Sequence, residues 1–317
     1  MIEKKDLDQD SRWIAGIDIG GTNTKFCLVH PDSQELLKGD LETDTRQEPA
    51  SVIKEIAIAV SELLATTGAD QKLHGVGVAC PGPLDLERGV VLNAANLRGW
   101  CELPIRDQFV RALDCPVTLL NDANAACFGE VMLGAGRGAT NAVLFTLGTG
   151  IGGGMTVGGR LVEGAYGNGG ELGHMIVVPQ GRACACGQYG CMEAYAGGRS
   201  LVQRAAENNL GTSEAPLTVP EIIKAAESNE AAAEIWADAC KALAIGCVNM
   251  QHVVEPDVII FGGGIAAAGD AVLQPVQRYI SERYWKLSPN RAELRLASLG
   301  TWAGALGAAQ WHIHRSP

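Results

Sequence analysis

A pattern that occurs twice narrows the fold of this chain more than any other feature. A β-favouring run, Ile14 to Ile19, ends in Gly20-Gly21-Thr22-Asn23 and resumes as Thr24 to Val29. A second, Ala142 to Leu147, ends in Gly148-Thr149-Gly150-Ile151-Gly152-Gly153-Gly154 and resumes as Met155 to Val157. Each reads as a strand, a glycine turn and a returning strand, a hairpin whose tip exposes backbone amides. The recurrence points to an internal duplication. Length agrees, since 317 residues exceed the usual size of one hydrophobic core and predict two lobes. Further glycines cluster at Gly158-Gly159, Gly169-Gly170 and Gly262-Gly263-Gly264, as expected where tight turns bring backbone close to a ligand. Some are accounted for as ordinary hairpin turns.

A hydrophobic content of 47% with 19% charged residues describes an ordered globular chain. The formal net charge of -11 argues against gripping nucleic acid by phosphate neutralisation, which needs a basic face. The opening MIEKKDLDQDSRW alternates charges and lacks the apolar core of a secretion signal, and no run approaches a membrane span, so a cytoplasmic protein is expected. Seven cysteines, Cys27, Cys80, Cys101, Cys115, Cys127, Cys240 and Cys247, sit among apolar neighbours and read as reduced thiols used as small core residues.

Between the two hairpins, Ala50 to Thr67 places Val52, Ile56, Val60, Leu63 and Leu64 at helical spacing and stops at Gly68. Gly75 to Ala79 and Val117 to Leu120 read as strands, with a long polar loop region from Pro81 to Trp100 between them. Ala123 to Leu133 reads as a short helix. Downstream, Ala231 to Val254, Ala271 to Trp285 and Ala303 to His314 have helical period, and Val258 to Phe261 is a buried strand closed by glycines.

Backbone amides at glycine turns form anion nests, and two such turns facing one another would hold a nucleotide's phosphates. That predicts phosphoryl transfer. Asp18 leads into the first turn, where a carboxylate can orient a phosphate-bound Mg2+, although a turn-capping aspartate accounts for the same residue. The P-loop pattern is absent. Gly148-x-Gly150-x-x-Gly153 satisfies a dinucleotide fingerprint, but β-favouring residues follow where that fingerprint requires a helix. Asn121-Asp122 closes a strand and opens a helix. Locally Asp122 reads as a helix N-cap, yet strand ends in α/β sheets are where ligands bind, and an aspartate there can take the proton of an attacking hydroxyl. Asn121 would hold an adjacent hydroxyl. The span Glu171 to Glu193, ELGHMIVVPQGRACACGQYGCME, gathers Cys184, Cys186, Cys191 and His174, the Cys3His set of closed zinc sites. A disulfide hairpin or buried thiols would use the same cysteines, but no secretion signal favours oxidation. Glu171 and Glu193 flank the set, and paired carboxylates beside a rigid anchor suit a polyhydroxylated ligand.

Together these residues resemble the ROK family of sugar kinases and related repressors, almost from end to end of the chain. Asp18-Ile19-Gly20-Gly21-Thr22 is similar to that family's first phosphate motif, Asn121-Asp122-Ala123-Asn124 to its catalytic segment, and Leu147 to Gly152 to its second phosphate motif. Glu171-x-Gly173-His174 and Cys184-x-Cys186-Gly187-x-x-Gly190-Cys191-x-Glu193 are similar to its sugar and zinc signatures. The resemblance implies a two-lobed, actin-like (duplicated ribonuclease H-like) α/β fold with an interlobe cleft. It implies a small lobe over residues 1–121, with the helix at 302–317 returning to it, and a large lobe over 122–301. It implies an ATP-dependent hexose kinase acting at the 6-hydroxyl, with glucose first among the hexoses and Asp122 as general base. Gly82, Asn96, Asn121, Asp122, Glu171, His174 and Glu193 would contact the sugar. Asp18, Gly20, Gly21, Thr22, Asn23, Lys25, Thr149, Gly150, Gly262 and Gly263 would hold ATP and its Mg2+. His174 with Cys184, Cys186 and Cys191 would bind a structural Zn2+, and the relatives imply a homodimer or higher homo-oligomer. The alternatives are a sugar-responsive regulator, for which only 13 residues precede Ile14, and a kinase for N-acetylglucosamine, N-acetylmannosamine, mannose or fructose.

Overall fold

A computed structural model of the protein describes residues 13–32, 36–68, 72–94, 97–211, 215–283 and 291–315. The chain divides into two compact units, residues 1–129 with 302–317 and residues 130–301. The opening segment, Asn96 and the last residues of the helix expected to reach Trp285 lie outside the described residues.

In the first unit, β1 (Ile14–Ile19) and β2 (Asn23–Val29) form the expected hairpin, and β3 (Leu36–Glu42) extends it as an edge strand of alternating exposed and half-buried residues. α1 (Pro49–Ala65) starts at a proline fixed for the first helical turn and buries Val52, Ile53, Ile56, Val60 and Leu64 on one face. β4 (Gly75–Cys80) then returns parallel to β1. The region read as a long loop instead carries a small antiparallel sheet, β5 (Leu84–Asp85), β6 (Val90–Asn93) and β7 (Cys101–Leu103). Its strands are two to four residues long, too short for alternation to register, yet Leu84, Val91, Leu97 and Trp100 bury beneath it. α2 (Ile105–Leu113) leads to β8 (Val117–Asn121), and α3 (Asp122–Leu133) follows without a break. The main sheet has the order β3-β2-β1-β4-β8, with β1, β4 and β8 parallel.

The second unit repeats this plan. β9 (Ala142–Leu147) and β10 (Ile151–Val157) form a hairpin, and β11 (Arg160–Leu161) pairs with β10. The glycine run read as turn belongs mostly to β10: Gly152, Gly153 and Gly154 pair with Thr146, Phe145 and Leu144, leaving a three-residue turn at 148–150. Gly153 suits the strand because the Leu172 side chain fills the space a Cβ would take. α4 (Glu193–Ala196), α5 (Gly198–Glu207) and α6 (Val219–Ala225) precede α7 (Glu230–Val254), whose N-terminus the Asn229 side chain caps by accepting from the Ala232 N–H at 3.0 Å. β12 (Val258–Gly262), α8 (Asp270–Arg283) and β13 (Glu293–Leu296) complete the sheet in the order β11-β10-β9-β12-β13. Pro275 lies inside α8 and has no N–H for the carbonyl of Ala271; the Trp236 indole of α7 donates to that carbonyl at 3.2 Å, so the helix is satisfied by its neighbour. Phe145 of β9 and Phe261 of β12 stack at 5.8 Å in the core of this unit.

α9 (Ala303–Arg315) belongs to the first unit and lies directly on β1 and β4. A Cβ on Gly16 or Gly77 would run into the carbonyls of Ala305 and Ala308, so bare strand backbone admits an alanine stripe of the helix. Six of the seven scattered cysteines are buried as expected. Cys101 is exposed, because it sits on the short outer strand β7 rather than in a core layer.

Candidate active-site residues and a candidate metal centre

In the first unit the parallel strands β1, β4 and β8 end side by side. Register pairs Asp18 with Ala79 and Cys80 with Asn121, so Asp18, Cys80 and Asn121-Asp122 share one end of the sheet. Burial, reinforced by the charge of Asp122, pushes the Asp18 carboxyl up to about 7, and Lys25 opposes the rise. Burial also raises Asp122, offset by the N–H of Ala123, which donates to its Oδ1 at 2.8 Å. The Cys80 thiol, absent from any motif, is driven well above its ordinary range by burial and by both carboxylates. Its signal was positional: it closes the strand beside Asp18.

Asp122 is not the helix cap. Asn121 is, its Oδ1 accepting from the N–H groups of Ala123 at 3.0 Å and Asn124 at 3.1 Å. The half-buried Asp122 carboxylate accepts from the Ala123 N–H and from the Asn121 side-chain amide, and both oppose its rise. Asp18 is not a turn cap either; it packs on Gly304 at the start of α9. The turn itself is closed by Gly20 N–H to Asn23 carbonyl at 3.2 Å, with Thr22 and Asn23 exposed at its tip. Lys25 stands beside Asp18 in register, its ammonium 5.0 Å from the Trp302 ring, which Lys38 also approaches at 5.1 Å. Gly82 has φ +95 and packs its backbone against Asn93 and Ala94.

In the second unit, Thr149 and Gly150 form the turn after β9, and Gly262 and Gly263 end the adjacent β12. Gly263, at φ +84, packs on the Leu147 carbonyl, which also accepts from Ile265 at 3.0 Å, so the two turns are tied together. The Gly148 and Thr149 carbonyls each accept an N–H from the start of α5, Gly198 and Arg199, at 2.9 Å.

The ligand atoms of His174, Cys184, Cys186 and Cys191 all lie within 4.8 Å of one another. Cys186 and Cys191 sulfurs are 3.7 Å apart, as are the Cys184 sulfur and His174 Nδ1. Tetrahedral zinc with bonds of about 2.0–2.3 Å requires ligand edges of roughly 3.5–3.8 Å, so the donor set and these two separations fit that ion. Two isolated bridges, Ile176 with Cys191 and Ala183 with Tyr189, hold the loop. Glu171 is exposed at the start of a short 3-10 turn whose last residue is His174. Glu193 is engaged on both oxygens: Oε2 accepts from the Ile151 N–H at 2.8 Å and Oε1 lies 3.8 Å from the Cys184 thiol.

Comparison with known proteins accords with this arrangement. The ROK family profile matches residues 14–315. The chain is 32% identical to a glucokinase of Halalkalibacterium halodurans, over 93% of each protein. A ROK hexokinase of Thermus thermophilus superposes with a TM-score of 0.82 at 33% identity, covering 96% of this chain and 100% of that one. A ROK family glucokinase of Streptomyces griseus, solved in complex with glucose and AMPPNP, superposes with a TM-score of 0.76 at 32% identity, covering 94% and 98%. With its motifs standing at matching strand ends of two like sheets, the chain belongs to the ROK family and has the family's two-lobed, actin-like fold.

Proposed function

We propose that this protein is an ATP-dependent hexokinase that phosphorylates glucose at its 6-hydroxyl. The observation that carries the reading is Asp122: a half-buried carboxylate raised by burial at the end of a parallel strand, beside an Asn121 that caps the helix. A base tuned upward accepts a hydroxyl proton with more driving force than an ordinary carboxylate near pH 7. The glucokinase and hexokinase relatives support the reaction and the sugar.

In this reading Asp122 takes the proton of the 6-hydroxyl as the oxygen attacks the γ-phosphorus, and the Asn121 NH2 holds a neighbouring hydroxyl. Glu171, His174, Glu193, Gly82 and Asn96 complete sugar recognition. The Gly20-Gly21-Thr22-Asn23 and Thr149-Gly150 turns, with Lys25 and Gly262-Gly263, orient the phosphates, since such transfer depends on alignment and exclusion of water. Asp18 would hold Mg2+, which supplies charge neutralisation on the phosphates. His174, Cys184, Cys186 and Cys191 would hold a structural Zn2+; four protein ligands leave no open position for substrate, so its contribution is rigidity. The reaction suits the cytoplasm, where ATP is available and thiols stay reduced. Among the described residues no helix is long and apolar enough to cross a membrane.

The test is ADP release with a panel of glucose, mannose, fructose, N-acetylglucosamine and N-acetylmannosamine. The highest kcat/KM with glucose supports the assignment. A preference for N-acetylmannosamine would move the chain to another sugar within the same chemistry, and no ADP release with any sugar would overturn the kinase reading.

A further inference from the structure

Glu193 stands two residues after the last cysteine of the candidate metal set, yet its firm hydrogen bond goes elsewhere. Oε2 accepts from the Ile151 N–H at 2.8 Å, and the same carboxylate fills the space that a Gly150 side chain would need. Just beyond it, Gly198 and Arg199 donate to the carbonyls of Gly148 and Thr149. One short segment, 193–199, therefore grips all four residues of the 148–151 turn. The segment is anchored at its other end by the Cys184–Cys191 loop, with Cys184 at 3.8 Å from Oε1 and the Gly197 N–H bonded to the Glu193 carbonyl at 2.9 Å.

A glycine turn is conformationally loose, and backbone amides stabilise an anion well only when already aimed. We propose that Glu193 is a positioning residue for the phosphoryl donor: it carries the rigidity of the metal loop into the 148–151 turn, so that metal loading strengthens nucleotide binding even with no sugar present. This rests on the reading of that turn as part of the donor site. It adds to the sugar contact assigned above, because the two roles concern different ligands.

Titration with a fluorescent ATP analogue, in the absence of sugar, separates them. Zinc-loaded Glu193→Ala is expected to bind about tenfold more weakly than the zinc-loaded wild type, the loss of one hydrogen bond to a charged acceptor. Glu193→Gln keeps an acceptor oxygen and is expected to stay within about threefold. Equal nucleotide affinity in wild type and Glu193→Ala overturns the proposal, whatever happens to glucose affinity. A wild type that binds no nucleotide would instead remove the donor-site reading itself. Should Glu193→Ala fail to fold, hydrogen exchange of the amides at 148–155 in the zinc-loaded and zinc-stripped wild type decides: faster exchange on stripping supports the coupling, and unchanged exchange overturns it.

Discussion

The two sheets share one topology and differ in what they place at the strand ends. Where the first unit pairs Asp18 of β1 with Ala79 of β4 and follows β8 with Asp122, the second pairs Thr146 of β9 with Gly262 of β12. The first sheet gathers carboxylates that burial makes basic. The second ends its strands in the uncharged Thr146 and Gly262, with the Glu193 carboxylate bound to the Ile151 N–H beside the turn. The register that holds Asp18 in one unit holds the uncharged Thr146 in the other.

The largest effect that tests this contrast comes from the base. Asp122→Asn keeps the shape and should lower kcat by at least ~100-fold with little change in sugar affinity; turnover near wild type would break the assignment of proton abstraction to the first sheet. Chelation tests the second unit's anchor. A metal held at one hundred times its Kd stabilises by about 2.7 kcal/mol, so stripping it should lower the melting temperature of a unit this size by roughly 5–10 °C. An unchanged melting curve, or purified protein free of zinc, would remove the metal centre.

Asp18 sharpens the electrostatic side of the comparison. Its carboxyl ionises at about 7 in the fold against 3.8 ordinarily, so the folded state binds the proton more tightly. That contribution is complete below pH 3.8 and is lost as pH rises through 7. Asp18→Asn should therefore be more stable than wild type at pH 8, on the order of 1–3 kcal/mol, with the gain closing towards pH 4. A pH-independent difference in chemical denaturation would contradict it. The smallest effect is expected from moving the charge across: Thr146→Asp sets a carboxylate at the strand end beside the Thr149-Gly150 turn and should weaken ATP binding by roughly tenfold through like-charge repulsion. Unchanged affinity would mean that the neutrality of the second sheet is incidental.

The family and the repeated hairpin are legible because they are local: strand, glycine turn and strand lie within sixteen residues of one another in each unit. The four residues of the candidate metal set are legible together for the same reason, spanning His174 to Cys191. Elements whose stability comes from distant partners are not. The strands β5, β6 and β7 are too short to show a period, and β10 hides its first residues under three glycines because it pairs with β9 and packs on Leu172. Side-chain roles were hardest to read. A sequence cannot divide capping between Asn121 and Asp122, since both residue types cap helices equally well.

By itself the sequence determined the chain's family, its duplicated plan and the inventory of groups able to move a proton, bind phosphate or hold a metal, because residue type and short spacing suffice for each. Only the tertiary structure decided which of those groups are freed and which are committed. Parallel strands distant in sequence bring Asp18 near Asp122, whose charge adds to burial in raising Asp18 while burial raises Asp122, and the path of 193–199 turns a residue of the sugar signature towards the Ile151 amide. Burial and mutual charge depend on what surrounds an atom in space, which no local spacing records.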